Sequence, residues 1–164
     1  MVKARSRVRS ERTETLLQIE VRKPIDASNA KIFSVVSEIE QWPEIMRSVR
    51  SVHPLTPPPF GPGSRFQQLR VMLRHSVYHD VEILVFDRPH RLLLSATSAD
   101  LDYQLDHLVE SVFGAGPRLT MIFRSQPRTL VHDRSQPFLA PFMSITLRDE
   151  LEQDLGDLAA AVER

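Results

Sequence analysis

The sequence predicts an α+β domain in which a curved antiparallel sheet of seven strands wraps around one long C-terminal helix, with two short helices after the first strand. Three observations carry that expectation. Segment after segment alternates apolar and polar residues, the period of strands with one dry face. Near the end the period becomes helical, with Leu147, Leu151, Leu155, Leu158 and Val162 on one stripe. Between the first strand and the others, Pro24, Asp26 and Ser28 break the chain and offer helix-start chemistry.

Each element follows in order. Thr13 to Lys23 alternates, with Thr15, Leu17, Ile19 and Val21 opposite Gln18, Glu20 and Arg22. Ala30 to Glu38 places Ile32, Phe33, Val36 and Ile39 on one helical stripe. Trp42-Pro43-Glu44 opens a second short helix through Met46, because proline is tolerated in a first turn. Val49 to Leu55 is a short strand, and the prolines and glycines to Gly63 turn the chain without forming a linker. Arg65 to Arg74 is a strand of mixed alternation, which predicts a bulge and leaves its inward phase open. Ser76 to Asp87 alternates cleanly, and Arg88-Pro89-His90 turns the chain into Arg91 to Thr97. Asp100 to Phe113 sets Tyr103, Leu105, His107 and Val109 against Gln104, Asp106 and Glu110. Gly114 to Pro117 is a hairpin turn before a last strand carrying Leu119, Met121 and Phe123. From about Ser135 to Val162 a helix of roughly 40 Å follows. Asp149, Glu150, Glu152, Asp154 and Asp157 are expected on its wet face.

Composition narrows the function. The chain has 164 residues, enough for one domain with a substantial core. We divide it into a flexible basic tail, 1–12, and a folded domain, 13–164. Lys3, Arg5, Arg7, Arg9 and Arg12 make the tail basic, yet 21 basic and 21 acidic residues balance overall. No global field therefore argues for nucleic acid. With no cysteine, thiol nucleophiles and Cys-based metal sites are excluded. No apolar run reaches the ~20 residues that span a bilayer. Met1 to Arg12 lack the apolar core of a secretory signal, so we expect a cytoplasmic protein, a monomer or weak dimer.

Local strings add a resemblance. "IDASNAKIFSVVSEIEQWPEIMRSVRSV" (Ile25 to Val52), "FGPGSRFQQLRVML" (Phe60 to Leu73), "VEILVFDRPHRLLLSA" (Val81 to Ala96) and "LEQDLGDLAAAVE" (Leu151 to Glu163) resemble the START-like superfamily. That superfamily is also called SRPBCC or Bet v 1-like, and the strings are most similar to its polyketide cyclase/dehydrase branch. The match covers roughly residues 15 to 163. It departs at Gly116-Pro117-Arg118, where the branch usually has glycine-threonine. The resemblance implies a helix-grip fold and an internal cavity for a small hydrophobic, lipid-like or polycyclic molecule. It also leaves room for a cyclase/dehydratase or for a protein-interaction or quinone-chaperone role.

Chemistry is sparse. His75 and His79 sit four apart on a strand, roughly 13 Å, too far for one metal. Five glycines form no phosphate loop, and no Gly-x-Ser-x-Gly elbow exists. We expect no metal and no cofactor. The paired carboxylates Asp80/Glu82 and Asp102/Asp106/Glu110 fall on outer strand sides, as solvated surface. His79, His107 and Tyr103 occupy apolar phases and are the candidates for acid/base work. Arg65 and Arg70 flank the strand of open phase. Trp42 is expected to pack the short helices against the sheet. Candidate cavity-lining residues are Phe33, Met46, Phe66, Arg70, Val77, His79, Val81, Tyr103, Leu105, His107, Met121, Phe123, Phe138, Phe142 and Ile145.

Overall fold

The computed structural model describes residues 17–99, 101–126 and 136–164, with side chains described for 17–99, 101–125 and 143–164. The basic tail, the start of the first predicted strand, and the side chains of Pro137, Phe138, Pro141 and Phe142 lie outside the described residues.

The elements run β1 (Leu17–Pro24), α1 (Asn29–Ser37), a 3-10 turn (Ile39–Gln41), α2 (Trp42–Ile45), β2 (Val49–Pro54), β3 (Arg65–Met72), β4 (His75–Asp87), β5 (Arg91–Thr97), β6 (Asp102–Val112), β7 (Gly116–Gln126) and α3 (Gln136–Glu163). The strands form one seven-stranded sheet in the order β1-β7-β6-β5-β4-β3-β2, and every pair is antiparallel. The first strand thus joins the last, and the rest meander. The fold class is as the alternation predicts.

Local chemistry sets the element ends. Ser28 caps α1 by accepting a hydrogen bond from the Lys31 N–H. Pro43 sits in the first turn of α2. Gly114 and Gly116 take positive φ in the hairpin between β6 and β7, a conformation that favours glycine.

One side of the sheet is packed. Ile19, Val21, Phe66, Val81, Ile83, Leu94, Leu105, Met121 and Phe123 share a buried cluster with Phe33, Val36, Trp42, Leu151, Leu155 and Leu158. Trp42 is buried as expected, donating its indole N–H to the Val36 carbonyl and meeting the Phe66 ring edge-on. Among the described residues, α3 lies closest to β1 and α1.

Three expectations change. The bulge falls elsewhere. β3 alternates strictly, while register shifts occur between Val49 and Ser51 and between Ile83 and Val85. The second shift turns Phe86 inward, where it meets Phe33 edge-on. The acidic face of α3 is not uniformly wet. Asp149 and Glu152 are exposed, but Glu150 and Asp157 are half-buried and Asp154 is buried. Finally, Asp106 is not a solvated surface group. It lies on the outer sheet face but is buried beneath Arg91 and Arg124.

Candidate functional site

The inward phase of β3 explains the most. Phe66, Gln68, Arg70 and Met72 are buried, and Arg65 is exposed. Two polar side chains, Gln68 and Arg70, therefore sit on the buried face of β3, one strand in from the β2 edge of the sheet. Burying an arginine is costly unless it is paired and hydrogen-bonded. Arg70 is paired: its guanidinium makes a short ion pair with Asp154 of α3 and donates to the Ser48 hydroxyl at 3.2 Å. The Ser48 hydroxyl in turn donates to Asp154.

This pair is the centre of a polar seam. One turn earlier on α3, Glu150 accepts from the backbone N–H groups of Leu73 and Arg74 at 2.9 and 3.0 Å. Those two residues form the hairpin turn between β3 and β4 and take φ of 51° and 64°, a region that favours glycine. One turn later, Asp157 accepts from the Arg47 backbone N–H and pairs with its side chain. Three carboxylates thus fasten α3 to the β2–β4 side of the sheet, while apolar packing fastens it to β1 and α1.

Beside Arg70 sits a second polar group. His79 lies directly across from Gln68 in the β3–β4 register. Tyr103 reaches His79 from β6, over the small Ala96 of β5, which pairs with both Val81 and Tyr103. The Tyr103 hydroxyl and His79 Nδ1 are 3.1 Å apart, and the Tyr103 ring stacks on Phe123 at 5.0 Å. Burial, with the nearby Arg70 charge, lowers His79 to about 4, so its imidazole is neutral near pH 7. Burial raises the Tyr103 hydroxyl above its ordinary value, so it too is neutral. Among the described residues, Gln68 Oε1, Arg70 Nε and His79 Nε2 are buried without a hydrogen-bond partner.

His107 stands apart. It lies four residues along β6 from Tyr103, roughly 13 Å. Its Nδ1–H donates to the Leu92 carbonyl at 3.3 Å, and its ring packs near Trp42 and is buried. Burial lowers it to about 4, against the opposing pull of the Leu92 hydrogen bond.

The structure brings together Phe66, Arg70, His79, Val81, Tyr103, Leu105, Met121 and Phe123 on the buried side. Phe33 and Met46 are buried with the short helices, and Val77 is half-buried. Phe138 and Phe142 lie outside the described side chains. Ile145 departs from expectation, being 60% exposed, because its position on α3 faces away from the buried stripe of Leu147 and Leu151. Gln68, Ser48, Glu150 and Asp154 were missed. The signal for two of them was phase. Gln68 shares β3's i, i+2 series with Phe66 and Met72, and Asp154 falls between Leu151 and Leu158 on the apolar stripe.

Clefts among the described residues lie elsewhere on the domain. One, of ≈ 520 Å³, lies between the short helices and the end of α3, lined in part by Val35, Ile39, Ile45, Phe60 and Ala161. Another, of ≈ 240 Å³, lies over Arg65, Asp80, Glu82, Ser95 and Thr97. Neither includes the Gln68–Arg70–His79–Tyr103 group. No group of histidines and carboxylates suited to a metal occurs among the described residues. No helix among them is long and apolar enough to cross a membrane.

By sequence, the chain matches no family model and no curated protein. By structure it is similar to the Zhui aromatase/cyclase from Streptomyces sp. R1128, at TM-score 0.74 and 11% identity over 90% of this chain and 94% of that one. It is similar to a START superfamily protein from Mycobacterium smegmatis, at TM-score 0.60 and 14% identity over 87% and 97% of the two chains. It is also similar to the major latex-like protein 151 from Panax ginseng, at TM-score 0.66 and 10% identity over 88% and 95%. A sheet whose first and last strands pair, two short helices after β1 and a closing helix along the buried face are together the START-like, Bet v 1-like helix-grip fold.

Proposed function

We propose that the chain binds a small hydrophobic molecule between the sheet and α3, against the wall made by β3, β4 and β6. The observation that carries this reading is the buried group of Gln68, Arg70, His79 and Tyr103, set among Phe66, Val81 and Phe123. A purely structural core has no use for polar atoms buried without partners, because each costs about 1–3 kcal/mol. A ligand site uses a few such groups to orient a largely apolar guest. The polar seam also supports it, because side chains as long as Arg70 and Glu150 span the approach between α3 and β3.

Native mass spectrometry of the purified protein tests the reading. A co-purified small molecule, or saturable binding of a naphthalene probe with quenching or enhancement of Trp42 emission, is the expected result. Absence of both ends it. Substitution of Val81 by tryptophan, which fills the proposed space, should abolish probe binding and leave the fold intact by circular dichroism.

A second reading, acid/base turnover in the manner of a cyclase/dehydratase, is favoured by one contact. Tyr103 and a neutral His79 are hydrogen-bonded inside a dry wall, the pairing that proton transfer to or from a bound carbonyl compound needs. The structural likeness to an aromatase/cyclase is in keeping with it. Tyr103→Phe then separates the two: retained binding with lost turnover supports the enzyme, and equal binding with no turnover in either form supports the carrier.

A further inference from the structure

The basic N-terminal arm is a sequence feature that neither the fold nor the binding reading uses. Residues 1–12 lie outside the described residues, so their sequence alone enters. They carry Lys3, Arg5, Arg7, Arg9 and Arg12 against a single acid, Glu11, a net +4. The whole chain balances at 21 basic and 21 acidic residues, so residues 13–164 are net −4. A cationic arm is thus tethered to an anionic body. The arm is also patterned. Lys3, Arg5, Arg7 and Arg9 alternate with Val2, Ala4, Ser6 and Val8. At a period of two, an extended segment presents cations on one side and small side chains on the other.

The ≈ 520 Å³ cleft between the short helices and the end of α3 has the complementary character. Val35, Ile39, Ile45, Phe60 and Ala161 give it an apolar floor. Glu38 and Glu40 stand exposed on its rim. Glu38 accepts a hydrogen bond from the Ser34 hydroxyl at 3.5 Å, and neither carboxylate enters an ion pair among the described residues. Arg164 also lines the cleft, but its Nε–H donates to the Ala160 carbonyl of its own helix at 3.4 Å.

The arm is long enough to arrive there. Arg148 of α3 donates to the Glu20 carbonyl of β1 at 3.1 Å, which ties the helix to the strand that follows the arm. From that contact Ala161 is thirteen residues along α3, about 20 Å, and Leu17 is three residues back along β1, about 10 Å. Adding the length of the Arg148 side chain, Leu17 and Ala161 are at most about 42 Å apart. Lys3 precedes Leu17 by fourteen residues, a reach of about 46–50 Å.

We propose that residues 2–9 dock in this cleft in cis, with their small side chains on the apolar floor and their cations at Glu38 and Glu40. The tether supplies a local concentration of about a millimolar, so contacts too weak to hold a free peptide suffice. The proposal stands apart from the binding reading, because Gln68, Arg70, His79 and Tyr103 do not border the cleft.

The test uses the full chain. Its single tryptophan, Trp42, lies between the cleft-lining Gln41 and Ile45. With no cysteine of its own, the chain takes one dansyl label through Ser10→Cys, just past the docked stretch. Energy transfer from Trp42 to the label should be at least about twofold higher at about 20 mM salt than at about 1 M, where the screening length falls to about 3 Å. Glu38→Gln with Glu40→Gln should bring the low-salt transfer down to the high-salt value. Asp149→Asn with Glu152→Gln, exposed acids outside the cleft, should leave it unchanged. Transfer independent of salt, or lowered equally by the two double variants, overturns the proposal. So does transfer that rises with protein concentration, which seats the arm on a second copy. Should the cleft variant fail to fold, Arg5→Ser with Arg7→Ser, in the arm itself, decides: it must lower the transfer to the high-salt value, and an unchanged transfer overturns the docking.

Discussion

Asp106 and Asp154 are both buried aspartates that pair with arginine, yet they sit on opposite faces of the sheet. Asp106, on the outer face, receives two hydrogen bonds from Arg91 and a longer contact from Arg124, and both arginine side chains keep about a third of their surface or more in water. Asp154, on the inner face, pairs with an arginine sealed almost as completely as itself. The outer pairing costs little desolvation because its cations stay wet. The inner one requires two ions to be stripped of water, and in stability alone an apolar pair of similar volume often does as well or better. The difference teaches where to look for function. The outer cluster is adequately explained as sheet cross-linking, whereas the inner pair sits beside the polar atoms that lack partners.

The comparison is broken most severely by removing one inner partner. Asp154→Ala leaves Arg70 buried and uncompensated and should cost about 3–5 kcal/mol in urea denaturation. Replacing both, Arg70→Met with Asp154→Leu, should recover most of that loss. If the single variant is mild, the inner pair is wetter than its burial indicates.

Acid should act mainly on the inner face. His79 and His107 are lowered to about 4 in the folded state from an ordinary 6.5. Between those values the unfolded chain binds protons that the folded chain does not. Their contribution is therefore intact above about pH 6.5 and is lost as pH falls toward 4. The loss amounts to about 2 kcal/mol for each by about pH 5. Urea midpoints measured across that range should show the decline, and His107→Gln should flatten its share of it.

Next comes the outer carboxylate. Asp106→Ala should cost about 1–2 kcal/mol, because the arginines it releases turn to water. A loss as large as that of Asp154→Ala would erase the distinction between the faces. The smallest effect is a gain. Arg74→Gly relieves a positive-φ side chain in the β3–β4 turn and should stabilise by about 0.5–1 kcal/mol in the same assay.

The fold was legible in the sequence because most strands alternate in a way that only a one-sided sheet satisfies. The run from Val77 to Ile83 and the run from Tyr103 to Val109 show their inward residues directly. β3 hid its phase because half of its inward residues, Gln68 and Arg70, are polar, so hydropathy cancels where position does not. The carboxylates of α3 misled for the same reason. Glu150, Asp154 and Asp157 look like solvent-facing charge until their partners from distant strands are known, and a pairing across 84 residues of sequence leaves no local trace. His79 and Tyr103 were legible as inward polar groups, but their meeting depends on Ala96 being small on the strand between them.

The clasp of Glu150 on the Leu73 and Arg74 amides has a use at the bench. Those two protons are protected by the helix and by nothing in the sheet ladder. Their deuterium exchange therefore clocks how often α3 lifts from the hairpin, separately from global unfolding. The molecule carries its own gauge of that motion at a turn where no label has to be attached.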